Sequence, residues 1–132
     1  MQQFQIGDPS AVAPARRGIS TLAAELGFDA EDAGRAALVA TETGTNLVKH
    51  GNGGELIAQK ISRDDRFGLE LLGLDNGPGM DDVARCLRDG YSTSSSPGTG
   101  LGAMERLSQR FEIYWRPGRG TAVLAQLWPD SR

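Results

Sequence analysis

Cysteine and histidine are almost missing: Cys86 and His50 are the sole representatives. A disulfide within the chain is therefore excluded, and a zinc site built from cysteine and histidine ligands nearly so, which leaves oxygen as the donor for any bound metal. Positive charge is not in excess either. Fourteen Lys and Arg stand against seventeen Asp and Glu, a formal net charge of −3, so no global basic field draws the chain to nucleic acid. Apolar residues nowhere run on for the roughly 20 positions of a membrane helix. The start, MQQFQIGDPS, lacks the basic and then apolar regions of a secretory leader. The expectation is a cytoplasmic protein without a nucleic-acid or membrane partner. At 132 residues, 39% hydrophobic and 23% charged, residues 1–132 suit one compact domain.

Glycine, by contrast, is abundant, at 18 of 132 residues against an average of about 7%. It clusters at Gly51, Gly53 and Gly54, at Gly77 and Gly79, and at Gly98, Gly100 and Gly102. Such clusters make turns, and they also suit backbone that approaches a ligand closely.

The regular elements fall between these clusters. Phe4-Gln5-Ile6 reads as a short edge strand. Asp8 and Pro9 supply N-cap and first-turn chemistry for a helix over Pro9 to Leu26, closed by Gly27. Asp29 caps a second helix running to about Lys49, with Gly44 inside it as a mark of close packing or of a nearby ligand, packing being the simpler reading. Glu55 to Ser62 and Phe67 to Leu74 read as strands joined by a hairpin turn at Arg63-Asp64-Asp65-Arg66. A short helix over Asp81 to Arg88, a polar loop over Gly90 to Gly100 and a helix over Leu101 to Arg110 follow. Phe111 to Arg116 and Thr121 to Leu127 close the chain as a second hairpin. Helices interspersed with hairpin-connected strands predict an α+β two-layer sandwich, a mixed or antiparallel sheet covered on one face by about three helices.

Three polar groupings stand out. Glu42, Asn46 and His50 are spaced four apart, which places them on one stripe of the second helix. That stripe faces either water or a site, and an oxygen pair such as Glu42 and Asn46 suits a hydroxyl and a hard cation that keeps its waters, as magnesium does. Asp75-Asn76-Gly77-Pro78-Gly79 follows an apolar strand. It reads as a turn, or as a carboxylate that accepts from an exocyclic amine beside glycines flat enough for a base. Gly98-Thr99-Gly100-Leu101-Gly102 precedes a helix, where free backbone N–H groups can receive phosphates. It is not a Walker A loop, and a hairpin-connected sheet lacks the parallel crossover of a dinucleotide fold.

In this order, with Gly120-Thr121 entering the last strand, these groupings resemble the N, G1, G2 and G3 boxes of the GHKL (HATPase_c) superfamily. The resemblance covers nearly the whole chain and implies the Bergerat ATP-binding fold. The stretch Asp89 to Gly102 and the compact size are most similar to the anti-sigma-factor serine/threonine kinases, particularly the RsbT-type switch kinases. It implies ATP and Mg2+ as cofactors, with Glu42 as general base and Asn46 as magnesium ligand. Asp75 would read the adenine amino group, Gly77 and Gly79 would line its pocket, and Thr121 would support Asp75 or a bridging water. Tyr91, Ser92 and Thr93 through Gly98, Thr99, Gly100, Leu101 and Gly102 would form the lid and meet the phosphates. No lysine stands in that stretch, which leaves Arg88, Arg106 or a partner's residue for the γ-phosphate. His50 is either a member of the first box or a helix-ending residue. The implied activity is phosphorylation of a STAS-domain anti-sigma-factor antagonist in a bacterial partner-switching pathway. The alternative is a nucleotide-gated binding module that sequesters a sigma factor or regulates a PP2C/SpoIIE-type phosphatase without phosphotransfer.

Overall fold

The computed structural model describes residues 1–75, 77, 100–116 and 119–129. Strand β1 (Gln2–Ile6) alternates exposed and covered positions and turns Ile6 into the core. The Asp8 side chain then accepts the Ser10 N–H at 2.8 Å and caps a 3-10 turn, Pro9–Ala11, that leads into helix α1 (Val12–Glu25). The first helix therefore opens as a tighter turn than its sequence pattern predicts. Pro14 falls in the first α-helical turn, where its missing N–H would have had no partner. Gly27, at φ +89°, ends the run in the left-handed conformation that suits glycine.

Helix α2 (Ala30–Gly51) is the long axis of the helical layer. The Asp29 carboxylate accepts the Asp32 N–H at 2.8 Å, acidic Glu31 and Asp32 sit in the first turn, and Lys49 and His50 sit in the last. Charge thus opposes the helix dipole at both ends. A β-carbon at Gly44 would stand 3.3 Å from Val12 Cγ2, so the glycine does mark where α1 and α2 press together.

Strands β2 (Gly54–Arg63) and β3 (Arg66–Asp75) form a hairpin whose two turn residues, Asp64 and Asp65, have φ of 52° and 64°. Positive φ at both positions is the twist-matched two-residue turn, and Arg63 pairs Arg66 across it. Helix α3 (Leu101–Leu107) is shorter than expected. It stops because Ser108 is extended while its hydroxyl donates to the Met104 carbonyl at 2.7 Å, and Arg110 already belongs to strand β4 (Arg110–Arg116). Strand β5 (Gly120–Leu127) completes the sheet.

The sheet order is β1-β2-β3-β5-β4, and every pairing among the described strands is antiparallel. Period-two alternation sends Leu56, Ala58, Leu69, Leu71, Val123, Ala125 and Leu127 to the helical side. There they meet Ile19, Val39, Leu101 and Met104. Each fully buried aliphatic side chain contributes roughly 1.5–3 kcal/mol. Gly68 admits the Trp128 ring, on whose face the Arg63 guanidinium stands 4.7 Å from the centroid. Trp128 is a packing residue, 6% exposed, whereas Trp115 on edge strand β4 is 40% exposed. No helix among the described residues is long and apolar enough to cross a membrane. The helix expected over Asp81 to Arg88, with Cys86, lies outside the described residues.

Candidate functional site

The third strand ends in a carboxylate held by two backbone N–H groups. Asp75 Oδ1 accepts the Gly77 N–H at 2.8 Å and the Thr121 N–H at 3.2 Å. The second bond is possible because Asp75 and Thr121 are paired across β3 and β5. Both donors use the same oxygen. Among the described residues Oδ2 takes no hydrogen bond, so the Asp75 carboxylate is oriented with one acceptor left over.

Helix α2 crosses above this strand end at a glycine. A β-carbon on Gly73 would stand 2.6 Å from Thr43 Cγ2, so only glycine lets the helix lie this low on β3. The result is a narrow cleft between α2, β3, β5 and α3, lined by Asn46, His50, Asp75, Thr121 and Met104, with Thr43, Leu47, Gly73 and Val123 behind them. Beside it an open groove runs from Asp75 and Thr121 past Tyr114, Trp115 and Arg119.

Asn46 is 7% exposed, and its buried Nδ2 has no hydrogen-bond partner among the described residues. An unmade bond at such depth costs about 1–3 kcal/mol. The cleft beside it has a volume of about 10 Å³, room for one water or a single ligand atom, to which a half-turn of the amide offers either oxygen or N–H. Among the described residues no three His, Cys, Asp or Glu side chains cluster to hold a metal. A hard cation here would take the Asn46 oxygen and complete its shell from phosphate and water, which is how magnesium is commonly held.

His50, one turn beyond Asn46, also lines the cleft. Desolvation there pushes its pKa below the ordinary histidine value, the neighbouring Lys49 lowers it further, and Asp75 opposes the shift. Glu42, one turn before Asn46, packs its carboxylate against the α-carbon of Gly100, which is at φ +80°. Leu101 and Gly102, both buried, then open α3.

The residues expected at a site therefore gather from three distant segments. Asn46, Asp75 and Thr121 share one cleft, Gly77 fixes Asp75, and Gly100 meets Glu42. Gly79, Tyr91, Ser92, Thr93, Gly98 and Thr99 lie outside the described residues. Thr43, Leu47, Gly73, Met104 and Val123 are cleft residues that the sequence reading did not single out. A glycine inside the apolar run FGLELLGL was the available signal for Gly73. Nothing in the pattern separates the others from ordinary core.

Residues 7–127 match the family described as the histidine kinase-like ATPase domain. The chain is 30% identical over 117 residues to the serine/threonine-protein kinase RsbT of Bacillus subtilis (strain 168), covering 89% of this chain and 88% of that protein. Among solved structures, a mycobacterial sensor histidine kinase, MprB, superposes with a TM-score of 0.57 at 13% identity, over 99% of both chains. The catalytic domain of the histidine kinase ThkA superposes with a TM-score of 0.56 at 12% identity, over 97% of this chain and 96% of that one. These two likenesses concern the fold.

Proposed function

The chain belongs to the histidine kinase-like ATPase domain family, and from that membership we propose an ATP- and magnesium-dependent transfer of phosphate to a serine of a STAS-domain anti-sigma-factor antagonist. It is a serine/threonine-protein kinase of the RsbT type, working as a partner switch. The observation that carries the nucleotide reading is a single cleft lined by both an oriented carboxylate, Asp75, and a buried amide, Asn46, whose Nδ2 has no partner among the described residues.

Each residue has a role that its chemistry allows. Asp75 Oδ2 accepts a hydrogen bond from the exocyclic amine of adenine, Thr121 holds the carboxylate, and Gly77 and Gly79 are the residues assigned to line the adenine pocket. Asn46 supplies the protein oxygen for magnesium, which neutralises phosphate charge when bound. Tyr91, Ser92, Thr93, Gly98, Thr99, Gly100, Leu101 and Gly102 close over the phosphates. Glu42 accepts the proton of the substrate hydroxyl as its oxygen attacks the γ-phosphorus and the bond to the ADP oxygen breaks. The new phosphoserine carries about −1.5 to −2 charges, enough to disrupt an interface that had packed against a neutral hydroxyl. A sigma factor or a PP2C/SpoIIE-type phosphatase would be the downstream partner.

The test is a phosphotransfer assay with labelled ATP and magnesium against candidate STAS-domain proteins. Transfer to serine in the wild type, lost in Glu42→Ala with ATP binding retained and lost in Asn46→Ala together with magnesium dependence, is the expected result. Tight ATP binding without transfer to any candidate would instead assign the nucleotide-gated binding module.

A further inference from the structure

Helix α3 is too short to hold its own geometry. It has seven residues, and isolated helices below about 12–15 residues are marginal in water. It packs on α2, which meets it at its head, middle and tail. At its head Gly100 abuts Glu42, in its middle the Thr43 hydroxyl meets Met104 Sδ at 3.2 Å, and at its tail Arg35 Nη1 donates to the Leu107 carbonyl at 3.3 Å.

The tail attachment reaches further than a helix cap. Nη2 of the same guanidinium donates to Asp32 Oδ1 at 2.6 Å and to the Trp128 carbonyl at 3.3 Å. Asp32 is 2% exposed, and its own N–H is held by Asp29. Gln109 binds Trp128 from the other side, donating to its carbonyl at 3.1 Å and accepting its N–H at 3.0 Å. One planar cation thus joins the first turns of α2, the last turn of α3 and the residue after β5. A forked guanidinium can do this and a point-charged ammonium cannot.

The geometry points to Arg35 as a positioning residue for phosphate recognition: by pinning the tail of α3 it sets where Gly100 to Gly102 stand against Glu42. This inference rests on the nucleotide reading above. Seven residues span about 10 Å, and with Met104 held in the middle, a shift of the tail is returned at the head. A misplacement of about 1 Å near reacting groups can cost about 10²-fold. The groups that read adenine are not bonded to this anchor, although Met104 of α3 also lines their cleft. Asp75, Gly77 and Thr121 sit on β3, β5 and the turn after β3, and none of them bonds to Arg35, Asp32, Leu107 or Trp128 in the contacts described.

The experiment compares wild type, Arg35→Lys and Arg35→Met in the full chain, titrated with ATP plus magnesium and, separately, with adenosine. Arg35→Lys retains the ion pair with Asp32 and keeps the fold testable if Arg35→Met is unstable. Expected is a loss of about tenfold in ATP affinity with adenosine affinity within about twofold of wild type, a split that general destabilisation would not produce. Exchange of the Met104 amide, which donates to the Gly100 carbonyl at 3.0 Å, should quicken while the β3 amides stay protected. Unchanged ATP affinity, or equal losses for both ligands, would overturn the inference. A wild type that binds neither ligand removes the nucleotide reading itself. The exchange readout then decides on anchoring alone, and unchanged Met104 protection in Arg35→Lys rejects it.

Discussion

The carboxylate of Glu42 occupies the space that a side chain on Gly100 would need: a β-carbon built there overlaps Oε2 and comes within 2.8 Å of Cδ. The residue assigned as base and the middle glycine of the Gly98 to Gly102 segment therefore exclude each other's growth, and each fixes where the other can be.

Gly100→Ala should consequently act on chemistry more than on folding. A left-handed alanine costs about 1–2 kcal/mol, which a thermal melt will register as a modest shift. Displacement of Glu42 by about 1 Å should lower single-turnover phosphotransfer by about 100-fold, with adenosine binding retained. A variant with wild-type turnover would show that Glu42 can leave Gly100 without loss.

Asp75→Asn should weaken adenine binding while leaving the loop in place. The amide oxygen can still accept the Gly77 and Thr121 N–H groups, but the second position becomes an N–H donor facing the exocyclic amine. The expected loss is about 1–3 kcal/mol, read by calorimetric titration with ATP. Unaltered affinity would remove Asp75 from base recognition.

Asn46→Leu should stabilise the unliganded protein and abolish magnesium-dependent ATP binding. The buried Nδ2 lacks a partner among the described residues, so an apolar side chain of similar volume relieves a desolvation cost of about 1 kcal/mol or more. Denaturant midpoints measured with and without ATP plus magnesium test both halves. A destabilised unliganded variant would mean that the amide is satisfied in solution.

His50 should make the protein less stable in mild acid. Its folded-state pKa lies below the unfolded value near 6.5, so at pH values between the two the unfolded chain binds the proton and the folded chain does not. Stability is full above about pH 6.5 and declines as pH falls through that window. His50→Gln should flatten this part of a stability-against-pH curve, and an unchanged slope would show that other groups produce it.

Much of this arrangement was legible in the residues. Asp8 and Asp29 announced both helix starts, and Asp64-Asp65 announced the tight hairpin, because capping and turn chemistry are local. Glu42, Asn46 and His50 fell on one stripe by arithmetic. The end of α3 was not legible: Leu107, Ser108 and Gln109 continue a passable helical pattern. What stops the helix is the recruitment of Arg110 to β4, whose pairing with Gln126 is a tertiary event. Thr43 and Met104 escaped notice for the same reason. They are ordinary core residues until Gly73 lowers α2 onto β3 and turns that stretch of core into a wall of the cleft. Arg35 carried no signal either, since two of its acceptors are backbone carbonyls 72 and 93 positions away.

The two tryptophans give the molecule a pair of unlike optical probes. Trp128 is enclosed between Gly68 and the Arg63 guanidinium, so its emission will shift when the fold opens. Trp115, paired with Thr121 and lining the groove beside Asp75, stands half in solvent at the mouth of the site. Ligand arrival should perturb the second indole without disturbing the first. Single-tryptophan variants would then let occupancy and unfolding be followed separately in the same cuvette, without a dye or a label.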